Sequence, residues 1–135
     1  GYAGYRVGIH MKEYGSHVPK IVVGGTAGSF LGEYQAGGII VVLGIGSEDR
    51  QCVGDFVATG MHGGKIYVRS RFVPNDLPPQ VEAHPVTDKS ELEPLVREFC
   101  SYFPYDADVL LSHEFFVLRP STSKIYKTMY CNRTM

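Results

Sequence analysis

The chain has 135 residues and a formal net charge of −1, a size that suits one globular domain or one piece of a longer chain. With 13 Lys and Arg against 14 Asp and Glu, it has no basic surplus to hold a phosphate backbone, which argues against a nucleic-acid partner. No apolar run approaches the roughly 18–20 residues of a membrane span, and Gly1-Tyr2-Ala3-Gly4 lacks the basic and apolar stretches of a secretory leader. The absence of an initiator Met is consistent with a fragment. Cys52, Cys100 and Cys131 are odd in number and form no CxxC or Cys/His cluster, so three reduced thiols in a cytoplasmic protein are expected.

All sixteen glycines fall within the first 64 residues, and they recur. A first, weaker unit runs from Val7-Gly8 to Lys20-Ile21-Val22-Val23-Gly24-Gly25. The clearest unit is Ala27-Gly28-Ser29-Phe30-Leu31-Gly32, then Gly37-Gly38 and Ile39-Ile40-Val41-Val42. A third starts at Val53-Gly54 and reaches Gly63-Gly64-Lys65-Ile66-Tyr67-Val68. Gly8, Gly32 and Gly54 are 24 and then 22 residues apart, a period typical of stacked coils.

Superimposing the units aligns Ile21, Ile40 and Ile66 in one column and Val23, Val42 and Val68 in the next column on the same face. Val7, Leu31 and Val53 precede the repeating glycines, adding an apolar position to each unit. This pattern predicts a parallel β-helix of about three coils. Its corners would be Gly8, Gly28, Gly32, Gly37, Gly38, Gly54, Gly63 and Gly64. The alternative is a set of antiparallel strands joined by glycine turns. The loops from corner to strand span 13, 8 and 12 positions, which places bulging insertions, and with them a partner surface, on one side. Three coils stack only about 14 Å high, so the strand edges at both ends need a cover.

Composition changes near Arg71. Residues 72–135 contain no glycine and seven of the eight prolines. Pro74-Asn75-Asp76-Leu77-Pro78-Pro79 reads as an extended connector. A helix follows, with Ser90 as cap, Glu93 completing a capping box, Pro94 in the first turn and Pro104 as terminator. Leu92, Leu95, Val96, Phe99 and Phe103 give it one apolar face, expected to pack on the coil. A short helix over Asp106 to Leu111, capped by Asp106, and a strand over Phe115 to Leu118 complete the chain. Residues 1–71 and 72–135 are expected to form one structural domain.

Few residues point to chemistry. A phosphate loop at Gly24-Gly25-Thr26-Ala27-Gly28 would need a helix directly after it, which Gly32 and Gly37-Gly38 interrupt. His10, His17, His62, His84 and His113 show no metal-ligand spacing, and His62 sits within a proposed corner. Glu33 and Asp55 each follow a repeating glycine and could stack as paired carboxylates, although exposed turn acids are the commoner outcome. Cys100 has no identifiable activating base. Nine tyrosines suit an interface, although ordinary packing explains most of them. Asn132-Arg133-Thr134 matches a glycosylation sequon that has no meaning without a secretory route.

The segments 24–38 and 53–68 resemble the GXGXG domain of glutamate synthase, and Phe115-Phe116-Val117-Leu118-Arg119-Pro120 with Tyr126 and Tyr130 resembles the end of its separate-subunit form. The likeness is strong over residues 1–71 and weaker beyond. Similar domains occur in formylmethanofuran dehydrogenase, a molybdenum or tungsten enzyme, and in glutamate-synthase-like proteins of methylamine metabolism. The resemblance implies a right-handed parallel β-helix that holds glutaminase and flavin-containing synthase domains in place. It implies no catalytic, cofactor-binding or metal-binding residue on this chain, with FMN and iron–sulfur clusters carried by partner domains. The first rival reading is a subunit of a formylmethanofuran-dehydrogenase-like or methylamine-pathway complex, and the second, less favoured, is a free-standing enzyme using Glu33, Asp55 or His62; self-association is a further partner expectation.

Overall fold

The computed structural model describes residues 19–26, 31, 35–46, 53, 58, 60–74 and 77–121. Five strands are present in this part: β1 (Lys20–Val23), β2 (Ala36–Val42), β3 (Gly63–Arg69), β4 (Val81–Pro85) and β5 (Phe115–Pro120). Two helices, α1 (Leu92–Tyr102) and α2 (Ala107–Leu111), lie between β4 and β5. The sheet order is β1-β2-β3-β5-β4.

β1, β2 and β3 are parallel neighbours. Their register pairs Ile21 with Ile40 and Ile40 with Ile66, and Val23 with Val42 and Val42 with Val68. These are the two columns that the sequence repeat aligns. The β-branched run Ile39-Ile40-Val41-Val42 suits a strand buried on both faces, as central parallel strands are. Ile40, Val41 and Val42 are all fully buried.

The parallel β-helix expectation is not met. β5 pairs with β3 antiparallel, and β4 pairs with β5 antiparallel, giving one open, mixed sheet. The aliphatic columns do not distinguish the two folds, because any in-register parallel ladder places equivalent residues side by side. The edge of β3 is occupied by strand β5. β4 has no counterpart in the sequence reading, since Val81 and Ala83 alternate with polar Glu82 and His84 over only five residues.

Each face of the sheet has its own core. On one face Val23, Ile40, Val42, Ile66, Val68, Val81 and Leu118 pack with Leu31, Val53, Ala58 and Met61 from the loops. On the other, Ile39, Val41, Leu43, Tyr67, Phe115 and Val117 meet Leu92, Leu95 and Val96 of α1 and Leu110 of α2. Each fully buried aliphatic side chain contributes about 1.5–3 kcal/mol. Helix α1 therefore covers a sheet face rather than the end of a coil.

The capping box does not form. The residue before α1 is Glu91, which is itself helical and makes no side-chain cap bond. Asp88 Oδ1 instead accepts from Ser90 N at 3.0 Å, and Glu93 pairs with Arg97 at 2.9 Å. The chain thus enters the helix through an extra turn at Ser90-Glu91. At the other end Phe103 is extended, as a residue before proline prefers. Asp106 caps α2 as expected, its Oδ1 accepting from Asp108 N at 2.9 Å.

Candidate functional site

Of the eight proposed corner glycines, Gly8, Gly28, Gly32 and Gly54 lie outside the described residues. Gly37 and Gly38 fall within β2, and Gly63 and Gly64 within β3. The register steps from Ala36↔Gly63 to Ile39↔Lys65, so Gly37 and Gly38 bulge opposite the single Gly64. Gly38 and Gly64 have φ of 82° and 76°, which a side chain disfavours. A Cβ on Gly64 would lie 2.7 Å from Gly38 O and 2.8 Å from Gly37 C, and one on Gly63 would collide with the Ala36 carbonyl. These glycines are needed for close approach of two backbones.

Gln35 closes this junction from inside. It is fully buried, and its Nε2 donates to Gly37 O and Gly38 O at 3.1 Å and to Lys65 O at 3.4 Å. The Gln35 backbone carbonyl accepts from His62 N at 2.9 Å and Gly63 N at 3.1 Å. Gly24 O and Gly25 O accept from Ile45 N and Gly44 N, both at 2.9 Å, joining the turns that follow β1 and β2.

A polar cleft of about 410 Å³ opens on the α1 side of the sheet. Lys65 and Tyr67 reach it from β3, His84 from β4, Val117 and Arg119 from β5, and Asp88, Ser90 and Glu91 from the loop entering α1. Strand alternation puts Lys65 with Tyr67, and Val117 with Arg119, on the same face. That alternation is the only sequence signal for the cleft, and no motif accompanies it. Lys89 anchors the loop: Nζ donates to His113 O at 2.9 Å and to Leu111 O, and lies 5.5 Å over the Phe115 ring.

Three of the cleft's groups bond to one another. Glu91 Oε1 accepts from Lys65 Nζ at 2.8 Å and from the Tyr67 hydroxyl at 2.6 Å. Lys65, and then Tyr67, hold the Glu91 carboxyl below the usual carboxylate range. Burial, and then Glu91, push the Tyr67 hydroxyl far above the usual tyrosine range. An ionised carboxylate and a neutral phenol are therefore the stable pair at neutral pH. Nearby, His84 Nε2 lies 2.9 Å from Glu82 Oε2, while Ser121 Oγ donates to Glu82 Oε1 at 2.6 Å. A nucleophilic serine needs the histidine next to its hydroxyl; here the carboxylate lies between them.

The remaining sequence candidates are dispersed. Glu33, Asp55, His10 and His17 lie outside the described residues. His62 Nδ1 is 3.2 Å from Gly60 O in a turn, and His113 contacts the Arg69 guanidinium. Cys100 is partly buried on α1, where burial pushes its thiol up. Among the described residues no group of three His, Cys, Asp or Glu converges as metal ligands, and no helix is long and apolar enough to cross a membrane.

Among the described residues no three His, Cys, Asp or Glu side chains converge as the ligands of an iron–sulfur cluster would. The Gly63-Gly64 step does not fit a flavin phosphate either, since backbone and Gln35 already fill the space around it.

The glycines thus define a protein whose sheet depends on close backbone packing, beside a polar cleft centred on the contacts of Lys65 and Tyr67 with Glu91. A family model described as GXGXG motif matches residues 1–126, and the chain belongs to that family, the one of the glutamate synthase C-terminal domain. An uncharacterized protein of Methanocaldococcus jannaschii is 38% identical over 94% of this chain. The match spans 52% of that relative, so the chain corresponds to about half its length. No solved structure matches.

Proposed function

We propose that this chain is a non-catalytic scaffold domain of a glutamate-synthase-type oxidoreductase. It would hold the glutaminase and flavin-containing synthase parts in place, with FMN and iron–sulfur clusters on those parts. The observation that carries this reading is the use made of the family's glycines. At Gly37-Gly38 and Gly63-Gly64 they admit one backbone against another and leave no cradle for a ligand. The bonding of Lys65 and Tyr67 to Glu91 supports it, because the lowered Glu91 carboxyl and the raised Tyr67 hydroxyl are both moved away from proton exchange at neutral pH.

The test is native purification of the tagged chain from its source organism. Glutaminase and flavoprotein synthase polypeptides are expected in constant ratio to it. Recovery only as a free monomer would sink the proposal. Recovery with molybdenum or tungsten enzyme subunits would transfer the scaffold role to that class of complex.

A further inference from the structure

We propose that the surface formed by Tyr102, Phe103, Tyr105 and Val109 docks residues 122–135 of the same chain. These four side chains are 76%, 50%, 46% and 52% exposed, and they follow one another from the end of α1 into α2. Exposed aromatic clusters of this kind mark contact sites. The rings are already ordered for contact: Phe99 stacks on Phe103 at 4.7 Å and on Tyr105 at 6.1 Å between centroids.

The rim selects the occupant. Residues 92–111 carry Glu93, Glu98, Asp106 and Asp108 against a single cation, Arg97. Arg97 is committed to Glu93 at 2.9 Å and to Asp108 at 2.7 Å, which leaves Glu98 and Asp106 without a cationic partner among the described residues. The surface therefore suits a segment that is basic and apolar together. Residues 122–135, Thr-Ser-Lys-Ile-Tyr-Lys-Thr-Met-Tyr-Cys-Asn-Arg-Thr-Met, have that composition: Lys124, Lys127 and Arg133 with no acid. Ile125, Tyr126, Met129 and Tyr130 supply apolar contact, methionine sulfur being well suited to aromatic rings.

Reach and tethering favour docking within one chain. Fourteen extended residues span up to about 46 Å, against a radius of gyration of about 14 Å for a domain of this length. Covalent attachment at Ser121 makes the encounter intramolecular, with an effective concentration on the order of millimolar.

The experiment uses the full isotope-enriched chain with a nitroxide on Cys131, after Cys52→Ser and Cys100→Ser. The amide signals of Tyr102, Phe103, Tyr105 and Val109 are expected to vanish, while those of Val23 and Ile40 persist. A second measurement leaves the cysteines untouched: Lys124→Glu/Lys127→Glu in the otherwise native chain is expected to shift the amides of the same four residues. Patch signals that neither broaden nor shift would overturn the proposal. So would broadening seen only when labelled, unenriched chain is mixed with enriched chain, which would make a second copy the occupant.

Discussion

The Tyr67 hydroxyl donates to Glu91 Oε1 at 2.6 Å, fastening the middle of β3 to the turn that opens α1. Tyr67 is buried, and Lys65 Nζ reaches the same oxygen from two residues away. This bond fixes where the helix layer sits on the sheet.

Removing the hydroxyl should cost stability with little repacking. Tyr67→Phe is expected to lower unfolding free energy by about 1.5 kcal/mol, the low end for a bond to a charged group, because half-exposed Glu91 can recover water. Urea denaturation with an unchanged slope measures this.

The same pair gives opposite pH signatures. Glu91 is more acidic folded than unfolded, so its contribution is present above the ordinary value of 4.5 and is lost as pH falls through the depressed folded value. Tyr67 is raised when folded, so its contribution is present below the ordinary 10.0 and is lost as pH rises through the raised folded value. Melting temperatures across pH should show a shallower acid loss for Glu91→Gln and a shallower alkaline loss for Tyr67→Phe. Slopes identical to the unmodified chain would refute both assignments.

Two glycines separate backbone strain from crowding. Gly64 and Gly46 have φ of 76° and 87°, but a Cβ on Gly46 meets nothing within 4 Å. Gly46→Ala should cost about 1 kcal/mol from conformation alone. Gly64→Ala should cost about 2–4 kcal/mol, since crowding against Gly37 and Gly38 adds to the strain. Equal urea midpoints for the two variants would contradict the close packing inferred at the bulge.

Arg69 is buried and ties β3 to the turn after β2. Its Nε donates to Leu43 O at 2.5 Å, its Nη2 to Gly44 O at 3.3 Å, and its Nη1 meets His113 Nδ1. Arg69→Met keeps the apolar stem but leaves those carbonyls unpaired, a loss of about 3 kcal/mol. Arg69→Lys should recover only part of it, because an ammonium cannot reproduce the fork. Thermal unfolding of the two variants side by side tests the order.

Capping gives the smallest effect. Asp106→Ala should cost about 1 kcal/mol through loss of the bond to Asp108 N. Ser90→Ala should cost less than this, because the Ser90 hydroxyl does not cap α1. The reverse order by denaturant titration would restore the capping box that the sequence suggests.

The helices, the final strand and the ladder register were legible because each is local or periodic. Repetition in sequence brings Ile21, Ile40 and Ile66 together, and Val23, Val42 and Val68 beside them. Asp106 announces α2 by its place before the apolar residues. The cap of α1 was misread because Ser90 and Glu93 have the right spacing, while Asp88 two residues earlier takes the Ser90 N–H. The cleft was missed because its residues come from three strands and a loop with no shared motif.

The amino-acid sequence by itself determined which aliphatic residues stack, which residues form α1, α2 and the core of β5, and which family the chain resembles. Only the tertiary structure decided that the stack ends in antiparallel β5 and β4 rather than continuing as a coil. A repeat specifies neighbours of its own kind, and it carries no information about the partner of its last strand. That partner, and the meeting of Tyr67 with Glu91, are set by burying both faces of one sheet at once.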